Sequence, residues 1–331
     1  MNFQDLEHIE TADKYIDIAL HAAEKQAELM RTKSKTQNKL GKSKFIEIEK
    51  ITIINKVLTA HLNKILESFP SIDNLPIFYQ ELIKCTLDYP MLKKSLGAVN
   101  WAGMKISDLT EKMITKLKMA NDQQILYTAR KQYYGRVCSF VKQIKENLEY
   151  LEHSRRIMKN FPAVKTSLPT ICIAGFPNVG KSTLLSRLTP SKPEIKSYAF
   201  TTKSLNFGYI TIGVKKIQVV DTPGTLNRFE KMNNIEKQAY LAMQHCADII
   251  VYVFDLTEQY SIEKQEQLFE VVTKFDKPTY IYLSKTDILP PEKVKAFHKK
   301  GFVIYTNKDE LEKELIKKVM ENKELSKRSY D

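Results

Sequence analysis

Hydrophobic residues in the first half of the chain recur at steps of three and four, the spacing of one helix face. Two long stripes follow this spacing: Ile51, Ile54, Leu58, Leu62, Ile65 and Phe69, then Leu126, Ala129, Tyr133, Val137, Phe140, Ile144, Leu148 and Leu151. Pro70, Pro76 and Pro90 separate the helical segments, and Thr11 or Asp13 can cap the first one. We therefore predict an antiparallel helical bundle with helices at 12–30, 44–68, 75–86, 90–119 and 122–160.

From Thr170 onward, short apolar runs alternate with helical patterns, which predicts a doubly wound α/β domain. The predicted strands are 170–174, 206–212, 215–221, 248–254, 278–283 and 301–305. The predicted helices are 182–189, 235–246, 262–275, 291–299 and 309–321. A tight turn at Gly213 makes the second and third strands an antiparallel hairpin, and we expect the other strands to be parallel. The connector 161–168 places the domain boundary between 1–165 and 166–331.

A glycine-rich loop follows the first predicted strand. The stretch Gly175-Phe-Pro-Asn-Val-Gly-Lys-Ser-Thr183 fits G-x-x-x-x-G-K-[ST], whose backbone N–H groups cradle phosphates at a helix start. Lys181 can reach the β- and γ-phosphates, and the Ser182 hydroxyl can bind Mg²⁺. The alternative is a chance match in a glycine-containing loop. The predicted nucleotide contacts here are Gly175, Pro177, Asn178, Val179, Gly180, Lys181, Ser182 and Thr183.

Two later segments have the character of nucleotide switches. Asp221-Thr222-Pro223-Gly224 ends a predicted strand, so the Asp221 carboxylate lies beside the phosphates and can hold Mg²⁺ through water. The Thr222 and Pro223 positions complete this predicted contact, and the Gly224 N–H can meet the γ-phosphate. In the polar segment 200–203, a threonine hydroxyl can complete the Mg²⁺ shell only when a γ-phosphate is bound.

Base selection is assigned to Ser284-Lys-Thr-Asp287, after a further predicted strand. The Asp287 carboxylate can accept both N1–H and N2–H₂ of guanine, a donor pair that adenine lacks. The Lys285 stem can pack over the ring. The sequence therefore favours GTP and GDP over ATP, and it disfavours a metabolic P-loop kinase. The predicted fold class is α + α/β, an N-terminal antiparallel helical bundle followed by a Ras-like doubly wound P-loop GTPase domain.

Charge suggests the chemistry of a partner. The chain carries 52 Lys and Arg against 39 Asp and Glu, a formal net charge of +13. This balance suits a polyanion such as RNA, although a lysine-rich surface of the kind found in thermophiles gives the same number. The segment 31–56 is the most basic, and its part 32–41 resembles a mobile loop that could order on RNA or remain solvated. For Trp101, core packing is favoured over base stacking.

Cellular location is inferred from what the sequence lacks. The four cysteines show no metal or redox spacing, so we expect reduced, buried thiols and a cytoplasmic protein. The acidic N-terminus is unlike a signal peptide, and no run of 18 apolar residues occurs, so we expect no membrane span.

These motifs together resemble those of the Obg-related GTPases, and most closely the Nog branch. The resemblance rests on the phosphate loop and on the following stretches: Ser197-Tyr-Ala-Phe-Thr-Thr-Lys-Ser204, Gln218-Val-Val-Asp-Thr-Pro-Gly224, Val253-Phe-Asp-Leu-Thr-Glu-Gln259, Ile65-Leu-Glu-Ser-Phe-Pro70, Pro76-Ile-Phe-Tyr-Gln80 and Gly135-Arg-Val-Cys138. It implies a GTPase acting in large ribosomal subunit assembly, with its helical domain docked on precursor rRNA and ribosomal proteins. It also implies Thr202 as the metal-binding threonine, alongside Ser182 and Asp221. We expect a monomer away from the ribosome.

Some positions differ from the family pattern. The family's N-K-x-D begins here with Ser284, which can hydrogen-bond guanine N7 or tether the phosphate loop. The last guanine motif is blurred at 305–307, so no residue is assigned there. The sequence stops soon after its last predicted helix, and nucleolar members resemble it only up to a long C-terminal extension, so we expect an archaeal-type protein.

The residue after the Asp-Thr-Pro-Gly motif bears on hydrolysis. Thr225 stands where Ras-like proteins place a water-orienting glutamine, and it is too short for that role. Lys181, Thr202, Gly224 and Asn178 are the candidate catalytic groups, with Asn178 either coordinating K⁺ or only bonding the loop backbone. Arg228 could assist but is better explained as a surface residue. We expect slow turnover without an activator, and a nucleotide-gated RNA- or ribosome-binding scaffold with negligible turnover stays open as a rival.

Overall fold

The computed structural model of the chain describes residues 3–33, 39–189, 205–223, 234–257, 260–297 and 301–328. Packing divides the chain into two compact units. The helical unit contains residues 2–74 and 87–159, and the sheet unit contains residues 75–86 and 160–331. Each unit buries its own set of apolar side chains. The combination of a helical part and an α/β part confirms the predicted fold class.

The described part of the first half is helical throughout. Its helices are α1 (Ala12–Lys33), α2 (Lys39–Ser68), α3 (Ile77–Thr86), α4 (Tyr89–Met119), α5 (Gln123–Gln143) and α6 (Lys145–Lys159). Short polar side chains stand at several starts: Thr11 Oγ1 accepts from the Lys14 N–H at 3.3 Å, and Asp88 accepts from the Met91 N–H at 3.0 Å. These caps satisfy N–H groups that have no partner within the helix, which fixes where each helix begins.

The single helix predicted over 122–160 is wrong. Ile144 leaves helical geometry at φ −96° and ψ 11°, and it separates α5 from α6. The residue stays buried, so the apolar spacing continues across the break. No glycine or proline stands at the break, and the sequence pattern therefore gives no sign of it.

A buried tyrosine links three helices of the helical unit. The Tyr133 hydroxyl lies 2.9 Å from Thr110 Oγ1 on α4 and donates to the Ile51 carbonyl on α2 at 3.2 Å. Burial raises the pKa of Tyr133 to about 12, so the group stays neutral and keeps its proton for donation. The apolar stripes of α2, α4 and α5 thus meet around one satisfied polar group.

The basic segment is more helical than predicted. Residues 32–33 continue α1 and residues 39–41 begin α2, while 34–38 lie outside the described residues. The Lys50 ammonium is buried and pairs with Glu24 Oε1 at 2.6 Å, so it faces the protein rather than solvent. Lys42 Nζ donates to the Arg31 carbonyl at 3.3 Å. The set of lysines available to a partner is therefore smaller than the sequence suggested.

The sheet unit is built on a six-stranded sheet of order β2-β3-β1-β4-β5-β6. Its strands are β1 (Thr170–Ala174), β2 (Asn206–Ile212), β3 (Lys215–Asp221), β4 (Ile249–Asp255), β5 (Thr279–Ser284) and β6 (Ile304–Tyr305). The β2–β3 pair is antiparallel and every other pair is parallel, as predicted. The last strand is shorter than predicted, since 301–303 are not in a strand.

Helices alternate with these strands along the chain. They are α7 (Lys181–Leu188), α8 (Asn234–His245), α9 (Ile262–Thr273), α10 (Pro291–Ala296), α11 (Lys308–Glu321) and α12 (Lys323–Lys327). Every residue of β1 and β4 is buried, as expected for central parallel strands. The carboxyl ends of β1, β3, β4 and β5 lie at one edge, where ligands of open α/β sheets bind.

The helix α3 belongs to the sheet unit although it precedes α4 in the chain. Its Tyr79 hydroxyl donates to the carbonyls of Pro162 and Val164 at 2.9 and 3.1 Å. Lys237 Nζ on α8 donates to the Cys85 carbonyl at 3.5 Å. The boundary at 165 therefore stays a prediction, because packing separates the units at 159/160 and also at both ends of 75–86.

None of the helices described by the structure combines the length and the hydropathy needed to cross a membrane.

Candidate nucleotide-binding site

Left-handed backbone angles shape the loop between β1 and α7. The angle φ is 142° at Gly175, 60° at Asn178 and 96° at Gly180. A Cβ on Gly175 would lie 2.6 Å from the Val253 carbonyl oxygen, so this position accepts no side chain. Alternating helical signs turn successive N–H groups toward one concavity, which is the geometry that binds anions. The loop and the start of α7 can therefore receive phosphate oxygens.

The Lys181 ammonium lies inside this loop. Its Nζ donates to the Phe176 carbonyl at 2.6 Å, and the side chain is only 7% exposed. Burial lowers the pKa of Lys181 to about 8, although the Asp221 carboxylate acts in the opposite direction. A phosphate group would supply the negative charge that this buried ammonium lacks.

Asp221 stands at the end of β3 with one satisfied oxygen and one unsatisfied oxygen. Its Oδ2 accepts from Ser182 Oγ at 2.5 Å and from Asn206 Nδ2 at 3.2 Å. Its Oδ1 is buried and accepts no hydrogen bond from the described residues. Burial raises the pKa of Asp221, and the Ser182, Lys181 and Asn206 contacts oppose that rise only in part. An orphaned carboxylate oxygen beside a serine hydroxyl fits the oxygen ligands that Mg²⁺ requires.

The remaining switch residues fall into two groups. Thr222 is buried, and its N–H and its hydroxyl both donate to the Ile173 carbonyl, at 3.1 and 2.8 Å. This contact ties the residue after Asp221 to β1, while Pro223 is half-buried. Thr202 and Gly224 lie outside the described residues.

The base-selection segment begins with a tether to the phosphate loop. Ser284 Oγ lies 2.7 Å from the Val179 carbonyl and 3.1 Å from the Phe254 carbonyl. Of the two roles considered for this serine, the structure therefore shows the loop tether. The backbone of Lys285 is left-handed at φ 54°, and its Nζ pairs with Asp255 Oδ2 at 2.6 Å.

Two predicted contacts point outward. Asp287 lies in a short 3₁₀ turn over 286–288 and is exposed, which leaves its carboxylate available to a base. Asn178 is also exposed, and its side chain makes no hydrogen bond with any described residue. The loop-bonding alternative for Asn178 therefore has no support within the described residues.

Two family models match successive parts of the chain. Residues 3–165 match the family model described as the NOG1 N-terminal helical domain, and residues 170–285 match the one described as a 50S ribosome-binding GTPase. The nucleolar GTP-binding protein 1 of Drosophila melanogaster is 31% identical over 88% of this chain. The chain belongs to the Nog family of GTPases. It is a GTP-binding protein with a GTPase domain.

The relatives differ in how much of their length the Nog-family chain covers. It spans 83% of an uncharacterized protein of Methanocaldococcus jannaschii, with 38% identity over 88% of this chain. It spans 45% of the Drosophila relative, less than half of that protein. A solved structure of Era with MgGDPNP and a segment of 16S ribosomal RNA is 30% identical and covers 45% of this chain and 56% of its own, with a TM-score of 0.36.

Sequence reasoning missed three polar residues of this Nog-family site. Asn206 at the start of β2 donates to Asp221. Asp255 at the end of β4 pairs with Lys285 and accepts from the Thr257 N–H and hydroxyl at 2.9 and 2.7 Å. The fully buried Gln265 side chain bonds the Asp255 N–H and carbonyl at 3.0 and 2.7 Å. A carboxylate at the end of a buried strand was the available signal for Asp255.

Gln265 also connects the base end of the site to the phosphate loop. Its Nε2 donates to the Tyr260 carbonyl at 3.1 Å. The Tyr260 ring lies 4.8 Å from the Phe176 ring, centroid to centroid, and Phe176 carries the carbonyl that binds Lys181. Asp255 thus holds Lys285, and Tyr260 contacts the first turn of the loop.

Proposed function

We propose that this Nog-family protein is a GTP-operated switch acting in assembly of the large ribosomal subunit. The carrying observation is the arrangement of Lys181, Ser182 and Asp221 at the carboxyl edge of the sheet. It provides a buried ammonium bound to the Phe176 carbonyl, together with a hydroxyl hydrogen-bonded to a carboxylate whose second oxygen has no partner among the described residues. A nucleotide with a divalent cation supplies the charges that this group lacks.

The phosphate end of the proposed site uses the loop backbone and the side chains named above. The loop residues Gly175 to Thr183 would bind the phosphates, with Lys181 on the β- and γ-phosphate oxygens. Ser182 and Asp221 would hold Mg²⁺, and Thr202 would join them when a γ-phosphate is present. Mg²⁺ would supply charge stabilisation for phosphoryl transfer. Thr222, Pro223 and Gly224 would then form the strand-end contact that responds to the γ-phosphate.

At the base end, Asp287 would accept the two adjacent donors of guanine. Lys285 would cover the ring, held in place by Asp255. Ser284 is occupied by the Val179 and Phe254 carbonyls, so we assign it to positioning the loop rather than to the base. GTP and GDP are accordingly the proposed nucleotides.

Hydrolysis is proposed to be slow without an activator. Thr225 is too short to orient water as glutamine does. The exposed, left-handed Asn178 is available to an ion at the phosphates, and K⁺ there would offset the charge that develops between them. The same threonine favours the rival function, a nucleotide-gated ribosome-binding scaffold with negligible turnover. Single-turnover rates with and without large subunits separate these two functions.

The proposed partners are precursor rRNA and ribosomal proteins of the large subunit. The net charge of +13 suits a polyanionic partner, and the relatives named nucleolar GTP-binding protein 1 share the helical domain. We propose that the protein acts as a monomer away from the ribosome. We also propose a cytoplasmic location, in keeping with four free cysteines.

Crosslinking to ribosomal particles tests this function. The full chain is incubated with lysate particles in the presence of GTP, GDP or a non-hydrolysable GTP analogue, and crosslinked rRNA is mapped. We expect large-subunit precursor rRNA to be recovered more with GTP than with GDP. Equal recovery in all three nucleotide states would contradict the proposed GTP switch. Recovery of no large-subunit rRNA would contradict the proposed role in assembly.

A further inference from the structure

The helix α5 has an unusual charge composition. It carries Arg130, Lys131, Arg136 and Lys142, and no acidic residue lies between 123 and 143. Arg130 pairs with Glu47 at 3.3 Å, and Lys142 lies 3.9 Å from Asp13. Lys131 and Arg136 are exposed and form no ion pair with any described residue. Two cations on α5 are therefore uncompensated within the described structure.

The neighbouring helix α4 presents cations toward the same side of α5. Its Trp101 ring meets the Phe140 ring of α5 edge-on at 5.8 Å, and its Lys116 Nζ donates to Gln132 Oε1 at 3.1 Å. These contacts define the face of α4 that borders α5. Residues at helical spacing between them share that face: Lys105, Asp108 and Lys112. All three are exposed, and only one of them is acidic.

An open cleft of about 510 Å³ lies on the exposed side of α5, and one of its lining residues, Gln132, accepts from Lys116 of α4. Its lining residues are Thr128, Lys131, Gln132, Gly135, Arg136 and Ser139. Lysine, arginine, glutamine, serine and threonine are the side chains that most often contact phosphate and sugar oxygens of nucleic acids. The polar and charged ends of these side chains suit phosphate contacts, while the surface that they expose inside the cleft is mostly that of their aliphatic stems.

No contact among the described residues explains why position 135 is a glycine. It stands inside α5 in helical geometry, where glycine is disfavoured relative to alanine. A Cβ at this position would meet no atom within 4 Å, so no neighbouring element of the protein requires its absence. Because Gly135 lines the cleft, its missing side chain lets a partner's backbone approach the helix closely there.

We propose that an RNA strand binds through its phosphates to a groove formed by the cleft on α5 and the bordering cations of α4. Lys105, Lys112 and Lys116 contribute charge from α4, and Lys131 and Arg136 contribute it from α5. Gly135 lets the strand approach the helix, and Trp101, which is 38% exposed, offers a stacking edge at one end. The proposal rests on the proposed function, since it names the surface by which the helical unit would bind rRNA.

The first test changes charge without changing net shape. The full-length variant Lys112→Gln/Arg136→Gln is compared with the matched control Lys14→Gln/Lys25→Gln, whose exposed lysines lie on α1. Binding to labelled large-subunit rRNA fragments is measured over a range of salt concentrations. Losing two phosphate contacts lowers the slope of log affinity against log salt by about 1.4, at about 0.7 per phosphate. The control should keep the wild-type slope.

The second test uses the glycine. We expect Gly135→Leu to keep or raise the melting temperature while it weakens rRNA binding about tenfold, a fall consistent with loss of a close backbone approach. Gly97→Leu is the control, because Gly97 is also helical and open to 4 Å but does not line the cleft. A structural role alone would lower the melting temperature together with binding.

The outcomes separate this proposal from the function on which it rests. If wild type binds rRNA and both groove variants bind with wild-type slope and affinity, the groove is wrong and the ribosomal function stands. If wild type binds no rRNA in any nucleotide state, both are overturned. If polyglutamate competes with wild type for the groove as strongly as rRNA does, the surface recognises acidic protein and the RNA assignment fails.

Discussion

Two aspartates end the two strands that flank β1, and their pKa values are shifted in opposite directions. Asp221 ends β3 and is 5% exposed, while Asp255 ends β4 and is 2% exposed. Burial raises the pKa of Asp221 above its ordinary value. For Asp255 burial acts in the same direction, but the Lys285 ammonium and the Thr257 hydrogen bonds outweigh it and lower the pKa.

Burial and hydrogen bonding both contribute to this difference. Both oxygens of Asp255 have partners within the protein, whereas Asp221 keeps one oxygen without a partner among the described residues. An unsatisfied buried oxygen is expensive unless a ligand completes it. We infer that the phosphate end of the site is built to be completed by its ligand, while the base end is held ready before the ligand binds.

The largest expected effect concerns the group that acts directly on the base. Asp287→Asn inverts the donor and acceptor edge, so GTP binding should fall by about 10⁴-fold because paired groups become mismatched. Xanthosine triphosphate should bind in its place. Calorimetry with GTP, ATP and the xanthine nucleotide measures this. Equal ATP and GTP affinity in the wild type would overturn the base assignment.

The next effect tests the incomplete end. Asp221→Asn keeps the shape but removes the carboxylate charge, so Mg²⁺-dependent GTP affinity should fall about 10–100-fold, as for other groups that orient a metal ligand. Binding in EDTA should change little. Because the pKa of Asp221 is raised, its charge is lost earlier on acidification than that of an ordinary aspartate. In the wild type, the gain in GTP affinity that Mg²⁺ provides should therefore fall as the pH is lowered toward the raised pKa of Asp221. A gain that does not depend on pH would contradict this prediction.

A smaller effect is expected at the base end of the site, which is held ready before the ligand binds. Asp255→Asn should weaken GTP and GDP by the same factor, about tenfold, because it loosens Lys285 without touching the γ-phosphate. A double-mutant cycle with Lys285→Ala should show strong coupling, and one with Ser182→Ala should be additive. A change in the ratio of GTP to GDP affinity would place Asp255 in the switch instead.

The smallest effect concerns the ion at the phosphates. Replacing Na⁺ by K⁺ at constant ionic strength should raise the hydrolysis rate several-fold, well below the about 10³–10⁵ that an arginine finger supplies. Asn178→Ala should abolish that difference and leave GDP binding nearly unchanged. Equal wild-type rates in both salts, with and without ribosomal subunits, would favour a group supplied in trans.

Contiguous motifs were readable from sequence, and contacts between distant segments were not. The phosphate loop follows an apolar strand and Asp221 ends one, so their position at the carboxyl edge could be predicted. The sequence also predicted which strands pair antiparallel and which run parallel. The Asp255–Lys285 pair joins residues thirty positions apart, and only the adjacency of β4 and β5 brings them together. The break at Ile144 had no sequence signal, since the residue is apolar and keeps its place in the stripe.

The same limit applies to surfaces. An amphipathic pattern shows that a helix buries one face, but it does not show against what. For α3 the partner is α8 and the connector after α6, rather than the bundle helices on either side of it in sequence. Lys50 is a second example. It lies in the basic segment 31–56, where exposure is expected, but its side chain is buried and pairs with Glu24.

The placement of α3 has a consequence for dissecting the molecule. The chain leaves the helical unit at 74/75, returns at 86/87 and leaves again at 159/160, so neither unit is one continuous stretch. A fragment cut near 165 would carry α3 with the buried faces of Phe78, Tyr79, Leu82 and Ile83 uncovered. In the remaining fragment, α8 would be left without the helix α3 that packs against it. Separate production of the two halves therefore invites aggregation, whereas a circular permutant or a split that moves 75–86 to the second piece keeps each hydrophobic core intact.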